Sequence, residues 1–446
     1  MDVHHILHLD SLLPSAICNS STKALNQKSF LQVVHKHGPC SVFHQDKAQK
    51  SPTHAETLLQ DQARVKYIQS RVAKNSDTAV KETDAATLPA KDGSTVGSGN
   101  YIVTVGLGTP KKQLSLIFDT GSDITWTQCE PCAGSCYSSQ REPIFAPSKS
   151  STYSNVSCNS ATCSALLTAT GNSPACSSSA CVYGIQYGDS SFSIGLFARD
   201  KLTLTSRDIF SNFLFGCGQN NQGLFGGSAG LLGLGRDKLS FPSQTAFKYK
   251  KFFSYCLPSS SSSTGFLTFG KGGSSSSKSV KFTPLSTATQ DTSFYGLDIV
   301  AISVAGQKLP ISASVFTTSG AIIDSGTVIT RLPPAAYAAL RSAFQQRMSQ
   351  YPRARALSIL DTCYDFSKYD TVTLPKISFF FKGDVEVPIA AVGILYANSV
   401  SQVCLAFAGN DDESDVSIFG NTQQKTMLVV HDGALGRLGF SSGGCQ

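Results

Sequence analysis

The sequence predicts an all-β chain folded as two lobes about a pseudo-two-fold axis, with few and short helices. Three observations carry that expectation. First, two stretches copy one another, Leu116-Ile117-Phe118-Asp119-Thr120-Gly121-Ser122 and Ala321-Ile322-Ile323-Asp324-Ser325-Gly326-Thr327, and each is followed by an apolar-apolar-Gly element, Leu231-Leu232-Gly233 and Ile418-Phe419-Gly420. The chain therefore reads as a duplicated half-site. Second, charged residues make up only 15% of the chain, glycine and serine are abundant, and the apolar runs are short, a pattern of many strands joined by turns. Third, 446 residues suffice for two lobes, each with its own core. No apolar run reaches the length of a membrane-spanning helix, so a soluble chain is expected.

A copied half-site brings two carboxylates together across the axis, and paired carboxylates that share a proton are a catalytic device. A lone Asp-Thr-Gly or Asp-Ser-Gly is a weak signal, because Asp and Gly are common in turns after buried strands. Two copies with matching apolar lead-ins, hydroxyls and downstream glycines form a strong one. Each residue type has a task. The apolar strand sets the aspartate at the edge of a core, where desolvation raises a carboxylate pKa. Gly121 and Gly326 let backbone approach closely, so that amide N–H groups can bond the carboxylates. Ser122 and Thr327 can donate to the outer carboxylate oxygens, and Thr120 and Ser325 are placed to bond across to the opposite lobe. Such a dyad does not ionise twice cheaply, so one carboxyl holds a proton while the other acts as base.

On these motifs the chain resembles the pepsin-like aspartic proteases, and within them the nepenthesin-like (atypical) plant branch. That branch is marked by Asp119-Thr120-Gly121-Ser122-Asp123 at the first site, a cysteine-rich insert behind it, and about a dozen cysteines in the enzyme region. The resemblance runs from about residue 100 to the C-terminus. It implies a pepsin-like double β-barrel, a tryptophan at Trp126, and a flap at Tyr187-Gly188-Asp189 with Tyr187 as the flap tyrosine. The upstream segment with His37-Gly38-Pro39-Cys40 resembles the propeptides of this branch.

Three regions follow. Residues 1–95 are His-rich, poor in strand patterns, and carry one clear helix: Thr53-His54-Ala55-Glu56 reads as a capping box, and Leu58, Leu59, Val65, Ile68 and Val72 fall near helical spacing, with Arg64, Lys66, Arg71 and Lys74 on other faces. By resemblance this region is an inhibitory propeptide. A basic segment can neutralise cleft carboxylates at neutral pH and lose its grip as acids protonate, while the histidines add repulsion below about pH 6.5. The small, polar stretch 88–98 suits cleavage. Residues 96–280 form the expected N-terminal lobe. It starts with Tyr101-Ile102-Val103-Thr104-Val105, carries the Cys-rich insert at about 129–181, the flap hairpin at 182–197 and a strand at 201–205, and ends with serine-rich loops at 259–263 and 274–277 read as flexible surface. Residues 281–446 form the C-terminal lobe, with strands near 282–285 and 294–304 and a helix at 334–348. Proline opens that helix, Tyr351-Pro352 follows it, and Ala336, Leu340, Ala343 and Phe344 are its buried stripe.

Seven of the eight histidines precede residue 55. A Ser-His-Asp triad, a Cys-His pair or a His-ligated zinc site would therefore rest on His431, which lies in an alternating strand and reads as structural. Twelve cysteines lie in the lobes: Cys129, Cys132, Cys136, Cys158, Cys163, Cys176, Cys181, Cys217, Cys256, Cys363, Cys404 and Cys445. Their even number and density indicate disulfides and an oxidising compartment. Cys129-x-x-Cys132 has zinc-like spacing, but no second such pair follows. The equal spacing of Cys158/Cys163 and Cys176/Cys181 suggests nested bridges, 158 to 181 and 163 to 176, and Cys363 with Cys404 is a plausible pair. No metal or organic cofactor is implied. The net charge of +7 is scattered, and its one tight cluster, Lys248-Tyr249-Lys250-Lys251, reads as solvated surface, so nucleic acid is not an expected partner. Asn155 and Asn19 open glycosylation sequons.

Residues 1–16 place histidines, Asp2 and Asp10 where a signal peptide needs an apolar core. Either the true leader lies upstream of this start or export is atypical, and a secreted or apoplastic location is expected, with the plastid as alternative. The resulting expectation is a monomeric, secreted, glycosylated plant aspartic endopeptidase made as a zymogen. It acts on protein substrates in acid through Asp119 and Asp324, and the resemblance implies hydrophobic residues around the cut. Two alternatives stand beside it: a catalytically silent protein-binding member of the fold, and a nucleic-acid-associated plastid protease.

Overall fold

The computed structural model describes residues 3–20, 29–43, 52–76, 101–187, 191–223, 225–271, 279–288 and 293–445. In the first half, six strands close on themselves: Tyr101–Leu107, Lys112–Asp119, Gly230–Gly233, Trp126–Gln128, Asp208–Gln222 and Phe192–Thr205, the last pairing back to the first through Gly106 and Thr203. The final six residues of Lys112–Asp119 are all buried. A strand buried on both faces reads as a continuous apolar run rather than an alternating one, which is the lead-in seen in the sequence. It ends at Asp119.

The second half repeats the pairings around its own aspartate strand. Ala321–Ile323 pairs in parallel with Ser417–Phe419, as Lys112–Asp119 does with Gly230–Gly233. Thr330–Leu332 then lies antiparallel to Ser417–Phe419 through Arg331 and Ile418, as Trp126–Gln128 lies against Gly230–Gly233 through Trp126 and Leu231. Both apolar-apolar-Gly elements therefore sit beside an aspartate strand, and their glycines are sterically required. A Cβ on Gly233 would fall 2.3 Å from the Asp123 carbonyl oxygen, and one on Gly420 would fall 2.8 Å from the Ile329 carbonyl carbon. The expected two-lobed, mostly β architecture with pseudo-two-fold symmetry is the one observed. A run of strands from both halves joins the lobes: Lys281–Pro284, Arg437–Ser441, Leu428–Asp432, Phe252–Cys256 and Thr264–Phe269.

The N-terminal region departs from its expected lack of strands. Phe30–His35 is inserted between Thr264–Phe269 and Tyr101–Leu107, and His4–His8 pairs with Thr371–Pro375. Both partners lie far away in sequence, so short patterns that look unpaired locally become strands by docking. The helix forms as expected at His54–Ser76 with a reciprocal capping box: Thr53 N donates to Glu56 Oε2 (2.6 Å) and Glu56 N to Thr53 Oγ1 (3.2 Å). Its buried stripe is Leu58, Asp61, Val65 and Ile68, whereas Leu59, expected inside, is 55% exposed. The C-lobe helix, Pro334–Arg347, buries Ala336, Leu340 and Phe344 as expected, and Tyr337 besides. Among the described residues no helix is long and apolar enough to cross a membrane.

The expected flap hairpin is present as Ala180–Gln186 and Phe192–Thr205, and the separate strand expected at 201–205 is the far end of the latter. All fourteen cysteines are bridged: 18–40, 129–217, 132–136, 158–176, 163–181, 256–445 and 363–404. The pairing 363–404 matches expectation, but the nested pairing does not. Cys163 and Cys181 are buried and pair in the interior of the insert, while Cys158 is half-buried, Cys176 is exposed, and the two pair at its surface. The serine stretch 259–263 is packed rather than free: Ser262 is buried, its carbonyl accepts from Asn19 N (2.7 Å), and its Oγ accepts from Ser15 N (3.2 Å). The 274–277 loop lies outside the described residues.

Candidate active site

The two aspartate strands end at one point, with Asp119 1% exposed and Asp324 fully buried. Each carboxylate accepts from the amide two residues on, Gly121 N to Asp119 Oδ1 (3.0 Å) and Gly326 N to Asp324 Oδ1 (3.1 Å). Hydroxyls cross between the lobes: Ser325 N donates to Thr120 Oγ1 (2.9 Å), and Thr120 N donates to Ser325 Oγ (3.1 Å). This reciprocal pair fixes the two loops rigidly against each other. The outer oxygens differ. Thr327 Oγ1 donates to Asp324 Oδ2 (2.6 Å), whereas Ser122 pulls on the Asp119 carboxyl without reaching full hydrogen-bond geometry among the described residues.

Between the carboxylates sits a guanidinium. Arg64, from the N-terminal helix, donates through Nη2 to both Asp119 Oδ1 (2.7 Å) and Asp324 Oδ1 (2.9 Å), and through Nε to Asp324 Oδ2 (2.9 Å). The space available is small: a Cβ on Gly326 would lie 2.3 Å from Arg64 Nη2. One turn earlier, Asp61 is fully buried, and its carboxylate takes Val328 N (2.5 Å) and Ile329 N (3.1 Å) and pairs with Arg331 Nη2 (3.0 Å). Leu58 packs in a cluster with Val328, Ile329, Leu357 and Leu360, while Val65 and Ile68 cluster with Phe294, Ile322, Val416 and Ile418. The helix thus fills the ground above both aspartates.

Electrostatics divide the pair. Burial pushes the Asp119 pKa up, and the neighbouring Asp324 charge adds to this, against the pull of Arg64. At Asp324 burial pushes the same way, but the Arg64 charge and bonds, with Thr327, outweigh it and hold the carboxyl below its ordinary value. The two carboxylates raise Arg64 further above its ordinary range, against desolvation. Burial raises Asp61 as well, despite Arg331 and the two amides. His35 and His37 are pushed down, chiefly by burial, to about 3 and about 2. While docked, they therefore stay neutral well below the pH at which repulsion was expected.

The remaining sequence candidates are placed as follows. Trp126 is fully buried, and its Nε1 donates to Tyr187 Oη (2.7 Å) at the end of the flap strand. Gly188 and Asp189 lie outside the described residues. Asp123 accepts from Asp237 N (2.9 Å), and burial lifts its pKa to about 7. His431 stacks on Phe253 with ring centroids 4.3 Å apart, and burial pushes it down to about 3, so it is a core residue. Cys129 and Cys132 are both in disulfides. Among the described residues no cluster of three or more His, Cys, Asp or Glu could hold a metal. Lys248 of the basic cluster pairs with Asp208 at 2.6 Å, and Tyr249 beside it is buried. Asn155 and Asn19 are exposed.

Three residues are not singled out by the sequence. Arg64 is one of four cations off the apolar stripe, in a basic segment expected to neutralise cleft carboxylates, and Asp61 is a polar residue at a stripe position. Arg331 carried a signal of its own: the half-sites are offset by 205 residues, as the Thr120–Ser325 pair shows, which makes Arg331 the counterpart of Trp126.

A two-lobed β fold with paired Asp-Thr/Ser-Gly half-sites is that of the aspartic proteases and their relatives. Residues 101–271 match the family described as xylanase inhibitor N-terminal, and residues 294–442 match its C-terminal companion. An aspartyl protease family protein of Arabidopsis thaliana is 62% identical over 99% of this chain and 93% of its own. Aspartic proteinase nepenthesin-2 of Nepenthes gracilis is 38% identical over 75% of this chain and 76% of its own. The chain belongs to the aspartyl protease family. Among solved structures, conglutin gamma, a basic 7S globulin from lupine seeds, superposes with a TM-score of 0.61 at 23% identity, over 77% of this chain and 91% of its own. That likeness shows the fold alone.

Proposed function

We propose that this chain is an aspartic endopeptidase made as a zymogen, with Asp119 and Asp324 as its catalytic pair and residues 1–95 as an inhibitory propeptide to the lobes 96–280 and 281–446. The observation that carries the reading is the Arg64 guanidinium bonded to both carboxylates: the ground where a water and a scissile carbonyl would sit is filled by a residue of the chain's own N-terminal segment. Once that helix leaves, two carboxyls held by reciprocal inter-lobe bonds share one proton. The ionised one takes a proton from a water that attacks the peptide carbonyl, and the protonated one donates to the carbonyl oxygen. The proton then passes to the leaving nitrogen. Tyr187, anchored by Trp126, closes over the substrate and excludes bulk water. The half-site hydroxyls and glycines (Thr120, Gly121, Ser122, Ser325, Gly326, Thr327) orient the pair. Hydrophobic side chains are favoured on both sides of the cut. Seven disulfides and exposed Asn155 support a secretory, glycosylated protein.

The family description, xylanase inhibitor, favours one second reading, a silent protein-binding member of the fold. The decisive experiment is hydrolysis of an unfolded protein between about pH 2.5 and 7 after acid incubation, comparing wild type with Asp119→Asn. Activity confined to acid, blocked by a statine-type inhibitor and lost in the variant, supports the protease. A fully oxidised chain freed of residues 1–95 that cleaves nothing supports the binder.

A further inference from the structure

The N-terminal helix fills more than the ground between the aspartates. One turn before Arg64, the Asp61 carboxylate sits in a pocket of donors that all belong to the C-terminal lobe. Val328 N donates to Oδ1, and Ile329 N and Arg331 Nη2 both reach Oδ2. Arg331 is 1% exposed. Its Nη1 donates to the Ile329 carbonyl oxygen two residues back (2.8 Å), its Nε has no hydrogen-bond partner among the described residues, and its other polar side-chain partners there, Asp61 and Gln62 Oε1 (3.1 Å), come from the helix. Asp411 adds a field at Arg331 but makes no ion pair with it. When the helix leaves, Arg331 therefore loses the one carboxylate that pairs with it among the described residues, and two backbone N–H groups lose their acceptor at the same time. A desolvated cation and two amides aimed at one point form an anion site.

The symmetry of the fold locates that site relative to the cleft. Arg331 occupies the register position that Trp126 holds in the first lobe, each paired to the middle of the element beside the aspartate strand. Trp126 reaches the flap through Tyr187, and Arg331 reaches the segment lying in the cleft. The donors Val328 and Ile329 directly follow the Asp324-Ser325-Gly326-Thr327 half-site, so whatever binds there is close to the reacting bond.

We propose that Arg331 with the Val328 and Ile329 amides forms a specificity subsite for an acidic side chain of the substrate, and that Asp61 occupies it in the latent chain as an intramolecular stand-in. The inference rests on the endopeptidase reading. It departs from a purely hydrophobic preference by adding one position that selects Asp or Glu over Asn or Gln. Bidentate recognition suits Arg where Lys offers only a point charge.

The test uses the acid-activated chain, freed of its N-terminal segment, and internally quenched peptides in matched pairs that place Glu or Gln at each position around a fixed cut. At about pH 5.5 free glutamate is ionised. The expected result is one position at which Glu is preferred over Gln at least about tenfold in kcat/KM, the scale of a buried charge-assisted contact. The ratio should fall to near one in Arg331→Met and to an intermediate value in Arg331→Lys, which keeps the charge and guards against a folding defect in the first variant. Reading the ratio within each variant removes any overall loss of activity. No Glu preference in wild type, or one that survives in Arg331→Met, overturns the subsite. If the freed chain cleaves no peptide, the endopeptidase reading fails separately. Fluorescence anisotropy of the same labelled pairs on the same protein then decides the subsite: at least tenfold tighter Glu binding that Arg331→Met abolishes supports it, and equal binding of Glu and Gln peptides sinks it.

Discussion

Arg64→Ala should turn a latent chain into one that is open at neutral pH. The Arg64 side chain is 13% exposed, and its partners Asp119 and Asp324 are 1% and 0% exposed. Removing one member of a buried ion pair costs about 3–5 kcal/mol when the other is left charged. Here the orphaned carboxylates have an escape, since one can take up a proton. Neutralising an ordinary carboxyl at about pH 6 costs on the order of 2–3 kcal/mol, and that caps the loss below the full ion-pair figure. The docked helix should therefore weaken by about 2–3 kcal/mol, a population of open clefts roughly 30- to 150-fold larger. Arg64→Lys keeps one charge without the fork and should fall between. The assay is the initial rate on an internally quenched peptide at about pH 6, with active sites counted by a statine-type inhibitor and the N-terminal segment verified as uncleaved. A variant that melts like wild type yet stays equally latent would show that the apolar face of the helix, not Arg64, holds the cleft shut.

Three further outcomes are expected. His35 and His37 are held down to about 3 and about 2 in the docked segment against an ordinary 6.5, so below pH 6.5 the released segment binds protons that the docked one excludes. Docking then weakens as pH falls, by up to about 1.4 kcal/mol per pH unit for each histidine. Asp324, held low by Arg64, adds to this below the ordinary carboxylate range, while Asp61, held high by burial in the docked helix, opposes it. Replacing both histidines with Gln should move the midpoint of acid activation to lower pH, and an unchanged midpoint would clear them of the role. Leu58→Ala, at a fully buried site, should loosen the helix by about 2–3 kcal/mol, whereas Leu59→Ala, 55% exposed, should leave hydrogen exchange of the helix unaltered; equal effects would contradict the helix register. Peptide mapping without reduction should recover the 158–176 and 163–181 linkages, and recovery of 158–181 would restore the nested alternative.

What was legible in the sequence, and what was not, divides along locality and symmetry. The dyad loops were legible because both halves state the same chemistry twice. The strand Phe30–His35 was not, because its pairing partners lie far along the chain, as His35 with Tyr101 and Val34 with Thr264 show, and nothing in a six-residue pattern announces them. Equal cysteine spacing fits nested and side-by-side bridges alike; burial of Cys163 and Cys181 decides between them. A basic segment suited to cleft carboxylates was legible, but not which cation does it, because helical spacing shows which residues share a face, never what that face meets.

Yet the duplication contains a comparison that reaches further than the motifs. At the 205-residue offset, Asp119/Asp324, Thr120/Ser325, Gly121/Gly326, Ser122/Thr327, Ile124/Ile329 and Thr125/Thr330 keep their chemistry, and these build the symmetric centre. Thr125 Oγ1 accepts from Gly233 N (3.2 Å) just as Thr330 Oγ1 accepts from Gly420 N (3.0 Å). Asp123/Val328 and Trp126/Arg331 do not keep theirs. A peptide substrate is directional, so a two-fold cleft must break its symmetry where it reads that substrate. In this chain the break falls on one wall that meets the flap tyrosine and another that holds a carboxylate. Where a repeat diverges next to a conserved pair, the divergence itself marks the residues that choose the ligand.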